Sequence, residues 1–401
     1  MKPPFFNKNT LIFACLGLFA LLFIYLMVSA GELENADPAV DKKIEIDAAA
    51  IRGYKNGELL WSMQSRYIWS AMSIDHAIVE NIYNGRFYDQ GRILLDSLSA
   101  RKVQVNAPQE RFYADKGFKA VMYRGHNPGQ PVDIWGEQLN YNAADKKSRL
   151  HKQIQVFDRN TKINAERATI DHQNNQITFG KDFTLSRPDS SLTAEKLLID
   201  IDKDIFHAGQ NVRLIRQPED GAAEFKKQKT TIYTDELTAD ISQELARLQL
   251  SGNVLIKQND KQAVGATAVF DEKDQLFHLN GQATALFDKT AALLDAATRQ
   301  KLKNQEILQE KLQLQSDSII INTDSQDLQA YGSVRVTIKN QEATADTAEY
   351  QRTAEKIYLR GGVLLQQADG SLVKAGQVVV DIPTEKFEAL GQAESIIYLN
   401  R

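Results

Sequence analysis

The sequence has almost no cysteine. Its single one, Cys15, lies inside an apolar run, so an intrachain disulfide framework and a cysteine-based zinc site are both excluded. The six histidines, His76, His126, His151, His172, His207 and His278, nowhere fall at metal-ligand spacing. No G-x-x-x-x-G-K-[ST] run offers a phosphate loop, and no G-x-S-x-G run marks a nucleophile elbow. An excess of one charge is missing as well. The 48 Lys and Arg are mixed with 52 Asp and Glu, for a net charge of -4. No basic stripe or aromatic-basic interleaving points to nucleic acid. No catalytic residue, metal or cofactor is expected.

One long apolar run is present, LIFACLGLFALLFIYLMVSA from Leu11 to Ala30. As a helix it spans about 30 Å, the thickness of a bilayer core. Lys2 and Lys8 precede it, and Glu32, Glu34 and Asp37 follow. The positive-inside bias then puts the N-terminus in the cytoplasm. The alternative is a cleaved signal peptide ending at Val28-Ser29-Ala30, although the run is longer than an ordinary signal core. The expected layout is a tail over 1–9, a transmembrane anchor over 10–30 and a polar tether over 31–47. Ala14, Gly17 and Ala20 form a small-residue track that suits either helix packing or plain lipid contact.

The rest of the chain repeats itself roughly every 29 residues. AERATIDHQNNQITFGKDFTLSR from Ala165 and AEKLLIDIDKDIFHAGQNVRLIR from Ala194 show the pattern. A small residue and an acid open a short alternating strand. A polar turn follows, then a second strand ending at a glycine, then a third strand of the form x-Val-x-apolar. Val212/Leu214, Val254/Ile256 and Val334/Val336 keep period two, with polar residues such as Arg213, Lys257 and Arg335 between them. Such strands have one buried and one wet face. Gly180, Gly209, Gly252, Gly281 and Gly332 are read as turn or bulge residues. Asn56-Gly57, ahead of Leu59, Trp61 and Met63, is a strong hairpin signal. The recurring acids Glu166, Glu195, Glu236 and Asp346 are read as wet-side residues, and His207 and His278 as packing or surface residues.

Two stretches break the rhythm. QPEDGAAEFKKQK from Gln217 is polar, and Thr290 to Glu306 is rich in helix formers. The terminal LGQAESIIYLNR stops within a strand pattern, which suits either a docking edge or an internally paired strand.

Taken with the apolar run, three features bear a family likeness. They are Tyr54 to Trp61, the segment from Asp89-Gln90-Gly91 to Ala100-Arg101, and the A-[DE]…G-x-V repeats. Over Ile51 to Arg216 the chain resembles the LptC family of the lipopolysaccharide transport machine. The later block looks like a second OstA-like module similar to LptA, which makes this a long form.

The resemblance implies an all-β fold, a twisted OstA-like β-jellyroll of antiparallel repeats preceded by one N-terminal transmembrane helix. It divides the chain into a first jellyroll over 48–217, a polar insertion over 218–231 and a second block over 232–401, with a helical insertion near 289–306. It implies a non-enzymatic carrier in the inner membrane, single-pass, with its bulk in the periplasm. Such a carrier takes lipopolysaccharide or a related glycolipid from an ABC transporter with LptB-, LptF- and LptG-like subunits. It passes the lipid to another OstA-like jellyroll by strand-edge pairing. The groove candidates are then Leu59, Trp61, Met63, Ile199, Val212, Leu214, Val254, Ile256, Val334 and Val336. Two other readings compete: a closed scaffold that binds proteins only, and a polysaccharide-acting enzyme on a β-helix.

Overall fold

The computed structural model describes residues 44–70, 76–106, 109–124, 129–218, 228–240, 247–294, 296–302, 307–384 and 386–396. The apolar run 11–30, most of the tether and residues 219–227 of the polar insertion lie outside the described residues.

The described chain is nearly all antiparallel strand. The first block holds β1 (Ile44–Lys55), β2 (Glu58–Ser70), β3 (His76–Asp89), β4 (Arg92–Asn106), β5 (Arg111–Met122), β6 (Val132–Gly136), β7 (Gln138–Asn142), β8 (Lys147–Asp158) and β9 (Thr161–Asp171). It continues with β10 (Gln176–Phe179), β11 (Thr184–Ser186), β12 (Ser190–Thr193), β13 (Lys196–Asp200) and β14 (Ile205–Arg216). The second block begins with β15 (Thr230–Asp240), β16 (Arg247–Gln258), β17 (Lys261–Asp271) and β18 (Leu276–Phe287). After an insertion come β19 (Leu312–Asn322), β20 (Leu328–Ile338), β21 (Gln341–Gln351), β22 (Lys356–Gln366), β23 (Leu372–Asp381), β24 (Lys386–Leu390) and β25 (Glu394–Ile396).

Pairing follows the chain. Each long strand pairs with its sequence neighbours, and the short strands β6/β7, β10/β11, β12/β13 and β24/β25 act as halves of one broken strand. The result is one meander. It continues through the polar insertion, because β14 pairs with β15 from Ile205↔Asp240 to Arg216↔Thr230.

Gly252, Gly281 and Gly332 are bulge residues, one of the two roles expected of them, but they do not mark strand ends. They lie mid-strand in β16, β18 and β20. Each has φ near +75° to +79° and is followed by a second left-handed residue, Asn253, Gln282 or Ser333. In β14 the left-handed pair is Gln210-Asn211, one residue past Gly209, and Gly180 lies in the break between β10 and β11 with no left-handed φ. Only Gly57, with Asn56 before it, turns a hairpin as expected, between β1 and β2. What reads in sequence as two short strands is therefore one long strand with a kink. The small-acid pair marks the matching kink of the partner strand. In β15 the buried residues run Thr230, Ile232, Thr234, then Leu237 and Ala239, so the inward parity slips by one at Asp235-Glu236. The slip keeps both half-strands facing the same interior. Asp235, Asp317 and Asp346 lie against the Cα of Gly252, Gly332 and Gly361, where a β-carbon would collide with them. The recurring acids are thus kink residues as well as exposed ones.

Gly332→Val places a β-branched side chain at φ +76° against Asp317 and is expected to destabilise by about 1–3 kcal/mol in urea unfolding. Gly180→Ala, in open space, should stay within about 0.5 kcal/mol of the parent.

Candidate functional site

In a meander, successive turns fall on opposite edges of the ribbon. A flat strand of about twelve residues would hold these two rims about 40 Å apart. Here they touch. Lys55 on one rim meets Glu110 on the other at 2.5 Å. Asp89 meets Lys146 at 2.8 Å, and Arg216 meets Glu272 at 3.6 Å. The ribbon is therefore folded along its line of kinks, with one face turned inward and the two rims closing as a seam. One apolar cluster fills this interior from Met63 to Ile382.

The seam of the first block is held most firmly at Arg124, which is 2% exposed. Its Nη2 donates to Asp158 at 2.5 Å, its Nε to Asp204 at 2.9 Å, and its Nη1 to the Gln130 carbonyl at 2.5 Å. Arg159 adds a bond to Asp204 at 2.6 Å. Arg124, Asp158 and Arg159 belong to one rim, and Asp204 belongs to the opposite turn between β13 and β14. Burial opposes the guanidinium charge, but the hydrogen bonds and charges of Asp158 and Asp204 outweigh it and hold the Arg124 pKa above its ordinary value. Nearby, Asn175 Nδ2 donates across the seam to the Tyr123 carbonyl at 3.2 Å.

All the sequence-derived groove candidates except Leu59 belong to the apolar cluster or pack against it. Met63, Ile199, Val212, Val254, Ile256, Val334 and Val336 are buried, while Leu59, Trp61 and Leu214 are partly buried. Trp61 lays its indole over Gly53 of β1, where no β-carbon would fit. The two blocks differ in what fills them. The first uses aromatics: Phe87 stacks on Tyr141 at 4.2 Å and meets Phe112 edge-on at 5.1 Å. The second is rich in small inward residues, among them Ala263, Ala268, Ala283, Ala285, Ala330 and Ala343.

Three cavities follow one another along the seam. One of about 100 Å³ lies where the blocks join, between Leu214, Leu237 and Phe270. The next two, of about 80 and 110 Å³, lie on either side of the insertion between β18 and β19. Their walls include Phe277, Phe287 and Tyr350 in the first, and Val336, Leu359 and Val378 in the second. The insertion has a 3-10 turn over Thr290–Leu293, a helix α1 (Ala296–Lys301) and a 3-10 turn over Ile307–Gln309, in keeping with the helix expected there. Its Ala291, Ala292, Leu293, Leu294 and Leu308 are buried. The Tyr350 hydroxyl, from the opposite rim, donates to the Leu293 carbonyl. Thr290 N–H and Oγ1 both bond the Glu310 carbonyl, at 2.8 and 2.9 Å. The insertion is an apolar stopper set into the mouth of the second block.

Sequence reading missed the seam pairs and the stopper. Arg124 and Asp204 are far apart in the chain and meet only because the ribbon rolls. The AALL run at Ala291 was the available signal for the stopper.

His172 is also buried at the seam. Its Nε2 lies 2.8 Å from Ser148 Oγ, and its ring meets Tyr141 edge-on at 5.7 Å. Burial lowers its pKa to about 4, against the opposing pull of Asp171. The fold therefore holds it neutral, and this stability is complete above the ordinary histidine range. As pH falls from about 6.5 to about 4, the unfolded chain takes up the proton first and roughly 3 kcal/mol is lost. Urea unfolding at pH 7 and pH 4.5 checks this, and His172→Gln should flatten that part of the profile.

Among the described residues, no three His, Cys, Asp or Glu side chains gather as a metal site.

Residues 162–292 and 304–386, just over half of the chain, match a family model described as "LptA/(LptD N-terminal domain) LPS transport protein". A similar solved structure is that of LptH, the LptA homologous periplasmic component of the lipopolysaccharide transport device from Pseudomonas aeruginosa. It is 16% identical, covers 30% of this chain and 82% of its own, and has a TM-score of 0.27. No curated protein matches the sequence.

Proposed function

Because the chain belongs to the family of LptA and LptD N-terminal-domain LPS transport proteins, we propose that it carries lipopolysaccharide, or a related glycolipid, along its rolled interior. The observation that carries this reading is the single apolar interior, which runs through both blocks and across the polar insertion. Each acyl methylene left in water costs about 0.8 kcal/mol. A many-chained lipid crossing an aqueous space therefore needs such an unbroken apolar path.

The finer assignment follows the sequence. The run Leu11–Ala30 serves as an inner-membrane anchor with the N-terminus cytoplasmic, and the described strands lie in the periplasm. The first block, 48–217, acts as an LptC-like receiver for an ABC transporter of LptB, LptF and LptG type, and the second, 232–401, as an LptA-like extension. Both ends of the meander support onward pairing. Among the described residues β1 pairs only with β2, and β24 and β25 only with β23. Such edges accept a strand from another OstA-like jellyroll.

One observation favours the scaffold reading. Each seam cavity has the volume share of only about three or four waters, far short of an acyl chain. A carrier must therefore part its rims to load, whereas a scaffold need not.

Native mass spectrometry of the full chain purified from membranes separates the two. The carrier reading expects bound lipopolysaccharide that increases when transporter and ATP are supplied. A lipid-free chain that still pairs with a second jellyroll would establish the scaffold.

A further inference from the structure

The kinks leave a notch on the outer face of the first block. It crosses β2 to β5 where their ladders skip register, between Ser62 and Gln64, Ile82 and Gly85, and Ala100 and Lys102. The notch is open and has a volume of about 730 Å³. Four cations line it: Arg66 from β2, Arg101 from β4, and Lys116 and Lys119 from β5. All four are exposed, and no carboxylate is part of the lining. None of the four has an ion-pair partner among the described residues, in contrast to Arg86, Arg92, Lys146 and Arg149 of the same block. The nearest acid in sequence, Asp115, is engaged by the Lys116 N–H at 2.9 Å and by Gln138 at 3.4 Å.

The chain as a whole is acidic, with a net charge of -4, so this concentration of cations is not background. The second block provides an internal comparison. Its kink notch, of about 660 Å³, is lined by Lys374 and Glu394, whose charges cancel. Four unpaired cations around one notch repel one another, and a multivalent anion relieves that repulsion. One free aromatic face flanks the cations, and a second ring is already capped by a lysine. Tyr83, 44% exposed, lines the notch, and Trp135, 40% exposed, lies beneath Lys119 Nζ at 4.5 Å from its ring centre. The flat face of Tyr83 beside cations suits a sugar ring bearing a phosphate, in which the C–H face packs on the ring and the phosphate meets the fork of an arginine.

We propose that this notch binds a phosphorylated saccharide on the outside of the first block. It lies on the kink line and not at the seam where a lipid loads, so a headgroup held there belongs to a glycolipid on the outer face, and as a step in lipid handling it rests on the carrier reading. A free sugar phosphate would present the same chemistry.

The test titrates the full chain with glucosamine 1-phosphate and with inorganic phosphate, at low and high salt. The proposal expects binding of the sugar phosphate, tighter than that of phosphate alone and weakened by salt. Arg66→Gln with Arg101→Gln should weaken it about tenfold, and Lys374→Gln should leave it unchanged. All three positions are exposed, so these variants keep the fold, and circular dichroism confirms it. No binding, or binding indifferent to the Arg66/Arg101 pair, overturns the proposal. Equal affinity for phosphate and sugar phosphate overturns its saccharide half.

A second arm separates the sources by comparing lipopolysaccharide with its dephosphorylated form. If the arginine pair weakens capture of only the phosphorylated lipid, the notch takes the headgroup. If sugar phosphate binds but lipid capture ignores both changes, the notch serves free sugar phosphates. Sugar phosphate binding without any interior lipid capture would sink the carrier reading and leave the notch standing.

Discussion

Arg124→Ala will lower the unfolding free energy by about 3–5 kcal/mol, the usual effect of stripping one partner from a buried ion pair. The physical reason is what it leaves behind. Asp158 and Asp204 are 4% and 7% exposed, and both lose the donor that compensates their burial. Arg159 still reaches Asp204 at 2.6 Å and Asp158 at 3.4 Å, so the loss should fall toward the lower end of that range. Arg159→Ala, at a site 30% exposed, should cost about 1 kcal/mol or less. A neutral triple, Arg124→Met with Asp158→Asn and Asp204→Asn, removes the charges together and should recover much of the loss. Urea midpoints of the four proteins check the set. The Arg124 cluster spans the two rims, so hydrogen exchange should rise first in the turns at 158–161 and 200–205. An Arg124→Ala protein as stable as the parent would mean that the seam is not held there.

Removing the stopper is expected to have the largest effect on binding. Phe287 and Leu312, the residues that flank the insertion, are already paired across β18 and β19. Residues 288–311 can therefore be replaced by an Asn-Gly turn without breaking the ladder. The shortened protein loses the burial of Leu293, Leu294 and Leu308. Each such side chain contributes about 1.5–3 kcal/mol when fully buried, so thermal stability will fall. The two cavities beside the insertion become one open trough lined by Phe277, Phe287, Val336 and Leu359. Affinity for an apolar fluorescent probe or for lipopolysaccharide should rise about tenfold. A milder variant, Tyr350→Phe, removes only the hydroxyl bond to the Leu293 carbonyl and should shift binding in the same direction by a smaller amount. Unchanged or weaker binding in both variants would make the insertion an ordinary part of the core.

Much of the fold is legible in the sequence because strand periodicity is local. Val334 and Val336 flank the exposed Arg335, and both are buried. Asn56-Gly57 announces a hairpin, and the chain turns there. At Gly252, Gly281 and Gly332 the bulge reading holds but the strand end does not, and the difference has a physical source. A glycine followed by a left-handed residue is the same local signal whether the chain reverses or only kinks. The partner strand decides between them, through the parity slip at Asp235-Glu236 and its counterparts. The seam was not legible at all. Lys55 and Glu110, or Arg124 and Asp204, carry no spacing signal, and their meeting depends on how the whole ribbon rolls. The stopper was half legible: its helix formers were plain, but the destination of Leu293 and Leu294 was not.

The central claim is that the inward face carries acyl chain. It is tested most directly by placing a photocrosslinking residue at Val254 or Val334, which are 0% and 1% exposed, and at Arg213 and Arg335 on the outer face. The full chain is then irradiated in membranes with transporter, lipopolysaccharide and ATP. The account predicts lipid adducts at Val254 and Val334 that depend on ATP and are absent at Arg213 and Arg335. Equal capture at inner and outer positions, or none at the inner ones in a protein that is folded and paired with its partner jellyroll, would contradict it.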